Sequence, residues 1–288
     1  MQNLLLLVLL VIVSASLSVE IDIKRRYHQE VGIPLARHIK ITEEATSRNR
    51  RAIGGGPASL HLYPYVAGLL IDLEDSSLSL CSASLLNHQR LISAAHCWDD
   101  GEDQSELYTV VLGSEKLYNG GLRIKTSNVV VHPEWDPDTL LNDISIIYLP
   151  TTIQFTAKIR PVALPRVVDL PKTFTGYRAV IVGFGRTSDW DLSVRRRRVS
   201  RVHVKVITNK MCSIYYEHVP RSQICTSGHG RVGICNGDSG GPLITKTTQN
   251  DILIGVSSYS DSKGCQVGTP SGFTRVTEFY HFIKSHMS

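Results

Sequence analysis

From residue 52 to the C-terminus the chain is cut into short β-forming runs, and that pattern limits its fold more than any other feature. Runs rich in β-branched and apolar residues stand at 108–112, 129–131, 144–149, 179–182, 202–206 and 252–256. Turn residues part them, as at Asn119-Gly120-Gly121 and His132-Pro133. Only the end has helical spacing, with Val276, Phe279 or Tyr280, and Ile283 on one side. The pattern predicts an all-β pair of units closed by a helix, with no repeats or low-complexity tracts.

With 288 residues, the chain is long enough for two ordinary domains or one large all-β unit. Residues 1–13 are almost wholly apolar and are followed by small residues at Ser14, Ala15, Ser16 and Ser18, the pattern of a cleaved secretory signal over residues 1–18. That apolar run is too short to span a bilayer and no later run is longer, so the expectation is a secreted, extracellular protein with no membrane anchor. All six cysteines follow residue 80, where export would expose them to oxidation. None has the CxxC spacing of a zinc site, so no metal or other cofactor is expected, and counting alone leaves about 15 disulfide pairings open. No Asn-x-Ser/Thr sequon occurs.

The net charge of +5 is concentrated early. Lys24, Arg25, Arg26, Arg37, Lys40, Arg48, Arg50 and Arg51 all precede Ala52, and without them the chain is close to neutral, which argues against a nucleic-acid partner. Residues 19–51 carry no cysteine and no clear hydrophobic period, so they are expected to be an activation pro-peptide or linker instead of a folded module. The segment ends in Arg48-Asn49-Arg50-Arg51, a dibasic site that a trypsin-like or convertase-like activating protease would cut after Arg51.

Three motifs carry chemistry. The string Cys235-Asn236-Gly237-Asp238-Ser239-Gly240-Gly241-Pro242 sets a serine among glycines beside an acid. Upstream, Leu91-Ile92-Ser93-Ala94-Ala95-His96-Cys97 supplies a histidine, and Leu141-Asn142-Asp143-Ile144 places an acid in an apolar run. A serine hydroxyl is a weak nucleophile near neutral pH and needs a base, and the base needs a carboxylate to fix its tautomer. His96, Asp143 and Ser239 suit those roles. Each motif alone has a structural explanation, as a tight turn, a strand end or a buried polar kink.

Taken in the order His96, Asp143, Ser239, the three resemble the chymotrypsin family of serine proteases over residues 51–288. Tyr63-Pro64-Tyr65-Val66-Ala67-Gly68-Leu69-Leu70 and Gly272-Phe273-Thr274-Arg275-Val276 are most similar to the chymotrypsin-like and collagenase-like digestive enzymes of insects. The resemblance implies two six-stranded antiparallel Greek-key barrels with a C-terminal helix, and an active site between the barrels in a protease domain over residues 52–288. It also implies an oxyanion hole from the backbone N–H groups of Gly237 and Ser239, support of Asp143 by Ser258, and disulfides Cys81–Cys97, Cys212–Cys225 and Cys235–Cys265. Activation would free a new amino terminus to pair with Asp238. The family begins with isoleucine or valine where this chain has Ala52, a departure expected to leave the active state less firmly ordered, since shrinking a buried isoleucine to alanine costs about 2 to 5 kcal/mol.

The same resemblance puts Gly233 at the floor of the specificity pocket, with Ile234, Ser260 and Ser271 on its walls and no acid to receive lysine or arginine. The expectation is a monomeric secreted endopeptidase, made as a zymogen, that cleaves protein or peptide substrates after aromatic residues or leucine and is open to protein protease inhibitors. Two alternatives stand beside it: elastase-like cleavage after small aliphatic residues, and a non-catalytic homologue that binds or regulates. Ser82 and Ala83 replace glycines near the nucleophile, where crowding is a concern. The acidic stretch 99–106 lacks calcium-loop spacing and is expected to be a surface turn. Arg195 to Arg198 read as a solvated face leading into a strand.

Overall fold

The computed structural model describes residues 26–48, 59–186 and 199–287. All six β runs expected from the sequence lie in strands. The first unit is a sheet of β1 (Val66–Leu73), β2 (Leu78–Leu85), β3 (Arg90–Ser93), β4 (Ser105–Leu112), β5 (Leu122–Thr126), β6 (Val129–Val131) and β7 (Ser145–Tyr148). These seven strands are ordered β5-β4-β1-β2-β3-β7-β6. The second comprises β8 (Arg178–Gly183), β9 (Ser200–Ile207), β10 (Gln223–Thr226), β11 (Pro242–Lys246), β12 (Asp251–Tyr259) and β13 (Ser271–Arg275), and closes as a six-stranded antiparallel barrel. The fold class is as expected, with the first unit a half-barrel sheet of seven strands.

Strand β9 shows the period that makes these strands: Val202, Val204 and Val206 turn inward while Arg201, His203 and Lys205 face water. β1 and β2 are instead buried along nearly their whole length. The reason is that β8 and an N-terminal helix pack on them. The C-terminal helix α3 (Tyr280–Ser285) belongs by sequence to the second unit but docks on the first. Ile283 is fully buried, Arg90 donates to the His286 carbonyl at 2.9 Å, and the Tyr148 hydroxyl meets His286 Nδ1 at 2.6 Å. Arg275 of β13 is also buried, donating to the carbonyls of Arg221, Gln223 and Thr173, and burial pulls its guanidinium down to about 10.

One expectation is corrected. Residues 27–48 are a folded module: a π-turn His28–Gly32 runs into helix α1 (Ile33–Arg48). Val31, Leu35, Ile39 and Glu43 are buried at a strict four-residue interval, a helical stripe that the surrounding charges obscure. Pro34 has no N–H to return to the Glu30 carbonyl, which accounts for the wider turn just before it. Gly32 is required by close approach, since a Cβ there would overlap the Ser79 hydroxyl. The signal at residues 1–18, the cut at Arg51, the new terminus at Ala52 and the Arg195 to Arg198 run lie outside the described residues. Among the described residues, no helix is long and apolar enough to cross a membrane.

Candidate active site

His96 follows β3 directly. The chain leaves the sheet at Ala94, still extended, and tightens into a 3-10 turn over Ala95–Cys97, with Cys97 bonded to Cys81 of β2. That crosslink fixes a histidine only 4% exposed at the edge of the cleft. Its Nδ1 lies 2.8 Å from Asp143 Oδ2, and its backbone N–H donates to Asp143 Oδ1 at 3.0 Å. Asp143 is fully buried, flanked by Leu140 and Asn142 in left-handed conformation (φ 54° and 58°). The Ser258 hydroxyl donates to Asp143 Oδ2 at 2.5 Å, and the Thr274 hydroxyl to the Asp143 carbonyl at 2.6 Å. Burial by itself pushes the Asp143 carboxyl up, but the facing His96 and the hydrogen bonds from His96 and Ser258 outweigh it and hold the group below its ordinary value.

Ser239 stands in the turn before β11. Its carbonyl accepts from Ser82 N–H at 2.8 Å, and Gly240 N–H donates to the Ser257 carbonyl at 2.8 Å. Gly240 has φ 76°, and a Cβ there would overlap Ser93 Oγ and the Ser82 carbonyl. Ser82 does not crowd the turn. Its hydroxyl donates to the Gly237 carbonyl at 3.0 Å and accepts from Phe184 N–H at 3.3 Å, tying the nucleophile turn to β2.

Ser239 and His96 line one small cavity, of about 40 Å³, but the hydrogen bond expected between them is absent in this form. The Tyr27 ring lies against the His96 imidazole at 4.8 Å and lines the same cavity as Ser239, with its phenol donating to the Leu80 carbonyl. Burial pushes that phenol well above its ordinary range. His96 Nε2 is left without a partner among the described residues. Val31 lines the same cavity with Ile234, Cys235, Ser258, Tyr259 and Ser260.

Asp238 is buried beside Ser239, its two oxygens taking N–H bonds from Gly185 and Cys235 at 3.0 Å each. With no cation paired to it among the described residues, burial pushes its carboxyl up to about 7. It borders a cavity of about 260 Å³, shared with Gly183, Arg201, Gly233 and Cys265. Gly233 faces the Ser271 hydroxyl, which accepts from Ile234 N–H at 2.9 Å. The other disulfides are Cys212–Cys225 and Cys235–Cys265. Cys81, His96 and Cys97 are the one His/Cys/acid cluster close enough to hold a metal among the described residues, and the disulfide removes both thiolates from use.

Sequence reasoning missed Tyr27, His28, Glu43 and Asp100. Asp100 is buried, so the acidic stretch is more than a surface turn: its carboxylate accepts from Glu102 and Asp103 N–H, and from His28 N–H at 2.8 Å. The signal available was the four-residue stripe before Arg48.

A half-barrel sheet and a closed barrel with a buried His–Asp pair and a serine in the cleft define a serine endopeptidase of the chymotrypsin type. The Trypsin family model matches residues 52–283, and the chain belongs to that family. It is 33% identical over 241 residues to the collagenase of Hypoderma lineatum, covering 83% of this chain and 88% of that protein. It is 32% identical over 238 residues to brachyurin of Leptuca pugilator, covering 81% and 97%. A solved structure described as HL collagenase superposes with a TM-score of 0.71 at 32% identity, over 81% of this chain and 97% of the other.

Proposed function

We propose that the chain is a secreted zymogen whose mature form hydrolyses peptide bonds through an acyl-enzyme on Ser239. The observation that carries this reading is the buried network Ser258–Asp143–His96 opening onto the cavity that Ser239 lines. Ser239 Oγ attacks the scissile carbonyl as its proton passes to His96 Nε2, and His96 returns that proton to the departing amine. Water, deprotonated by His96, then releases the acid. Asp143 keeps the second proton on Nδ1 and stabilises the imidazolium. The Gly237 and Ser239 N–H groups receive the oxyanion, each donor being worth about 3 kcal/mol.

Cleavage after Arg51 frees Ala52, whose ammonium enters the cavity beside Asp238 and supplies the missing cation. Specificity is for apolar side chains, aromatic or leucine, because Gly233, Ile234, Ser260 and Ser271 bring no charge to the pocket. One observation favours the elastase-like alternative: the Ser271 hydroxyl sits over Gly233 and shortens the pocket. Cleavage of a mixed peptide library separates the two preferences. The protease reading itself is tested by labelling the processed chain with a fluorophosphonate, and no transfer of label to Ser239 would assign the chain to non-catalytic binding instead.

A further inference from the structure

We infer that residues 26–48 are a self-contained helical inhibitor of the active-site cleft, and that after the chain is cut this segment stays bound as a separate peptide until it dissociates. The inference rests on the protease reading above and deepens it, because it adds a second gate to activation.

The inhibitory contact is Tyr27. Its ring covers His96 in the cavity that Ser239 lines, and its phenol is fixed there by donating to the Leu80 carbonyl at 2.8 Å. A substrate reaching Ser239 must displace it. Val31 takes part of the remaining space beside Ile234 and Ser260, and Leu35 packs on Gly237.

Docking does not depend on those catalytic contacts, because the segment is anchored at both ends outside them. At the near end, His28 N–H donates to Asp100 and its ring Nδ1 meets Ser79 Oγ at 2.8 Å, while Gln29 donates to Asp103 at 3.0 Å. At the far end, the buried Glu43 carboxylate accepts three bonds, from Leu117 N–H at 2.7 Å, Tyr118 N–H at 2.9 Å and Asn119 Nδ2 at 3.1 Å. Tyr118 returns a bond to the Ala36 carbonyl at 3.0 Å. Between these anchors Leu35, Ala36 and Ile39 are buried against the first unit. A linker that merely had to be cut would need neither a buried carboxylate with three donors nor a fitted aromatic ring. The segment has no cysteine, so non-covalent contacts and the uncut chain retain it.

The test uses the full chain, cut between residues 48 and 52 and then passed over a sizing column. The peptide should co-elute with the protease, and fluorophosphonate labelling of Ser239 should stay at least tenfold slower than after the peptide is removed under mild denaturant. Adding back synthetic peptide 26–48 should restore the block. A chain carrying Tyr27→Ala should keep the peptide after cutting yet label at least tenfold faster, and Glu43→Gln peptide should bind at least tenfold more weakly by fluorescence anisotropy. Full labelling immediately on cutting, loss of the peptide on the column, or tight binding without a block would each overturn the inference. Because anisotropy reads binding without catalysis, a protein that binds the peptide but never takes label would sink the protease reading and leave the docking intact.

Discussion

In the uncut chain the Asp238 carboxyl is buried with two backbone N–H donors and no cation partner among the described residues, and burial pushes it up to about 7 from the ordinary 3.8. A folded pKa above the unfolded one means stability that is full below pH 3.8 and lost as pH rises through 7. The full loss is about 4 kcal/mol, of which about 3 kcal/mol falls between pH 5 and pH 8. Replacing Asp238 with Asn removes the titration but turns an amide N–H toward one backbone donor, at a pH-independent cost of about 1 to 3 kcal/mol. In a chain kept uncut by Arg51→Gln and silenced by Ser239→Ala, the two terms nearly cancel at pH 5. At pH 8 the Asp238→Asn protein should be more stable by about 2 kcal/mol. Thermal unfolding followed at one scan rate should show the gap between the proteins widening by about 6 to 12 °C from pH 5 to pH 8. After cleavage the sign should invert, because wild-type Asp238 then has an ammonium to pair with. A gap that does not change with pH would refute the uncompensated buried charge.

Three further outcomes are expected. Burial pulls the His28 imidazole down to about 4, with Ser79, Asp100, His96, Asp103 and Asp99 around it; its contribution to docking of residues 26–48 is therefore full above pH 6.5 and lost as pH falls through 4, and peptide 26–48 should bind about 2 kcal/mol more weakly at pH 5 in anisotropy titrations. Ser82→Gly should lower stability by about 1 to 3 kcal/mol, since the Gly237 carbonyl and Phe184 N–H lose their partner; a more stable or more active protein would mean that crowding governs this position after all. Ser258→Ala should cost about 1.5 to 3 kcal/mol in thermal unfolding at pH 7, and that cost should shrink below pH 3.8, where the Asp143 carboxyl it supports becomes protonated on unfolding.

The β architecture was legible because alternation such as Val202-Val204-Val206 survives in the sequence, and the terminal helix because Val276 and Ile283 keep their spacing. His96, Asp143 and Ser239 stood out through their motif neighbours, Cys97 after His96 and the glycines around Ser239, and the structure pairs His96 with Asp143 and sets it on the cavity that Ser239 lines. The pro-segment helix was not, since Arg37, Lys40 and Glu44 interleave its apolar stripe, Pro34 reads as a helix breaker, and the stripe is closed by Glu43, an acid whose burial depends on N–H groups 74 residues away. No local pattern announces such donors. The absence of a His96–Ser239 bond was equally invisible, as was the placement of Tyr27 against His96.

Each disulfide lies within one half of the protease, so no crosslink ties the first unit to the second beyond the main chain that runs between them. One cross-tie is α3, which follows the last strand of the second unit and docks on the first. Without α3, β3 and β7 lack the cover that Ile283 and His286 provide. Because none of the three crosslinks involves that helix, a chain lacking it keeps every cysteine of the covalent frame and still leaves one flank of the first unit unsealed, so intact disulfides are no sign that the two halves are properly joined.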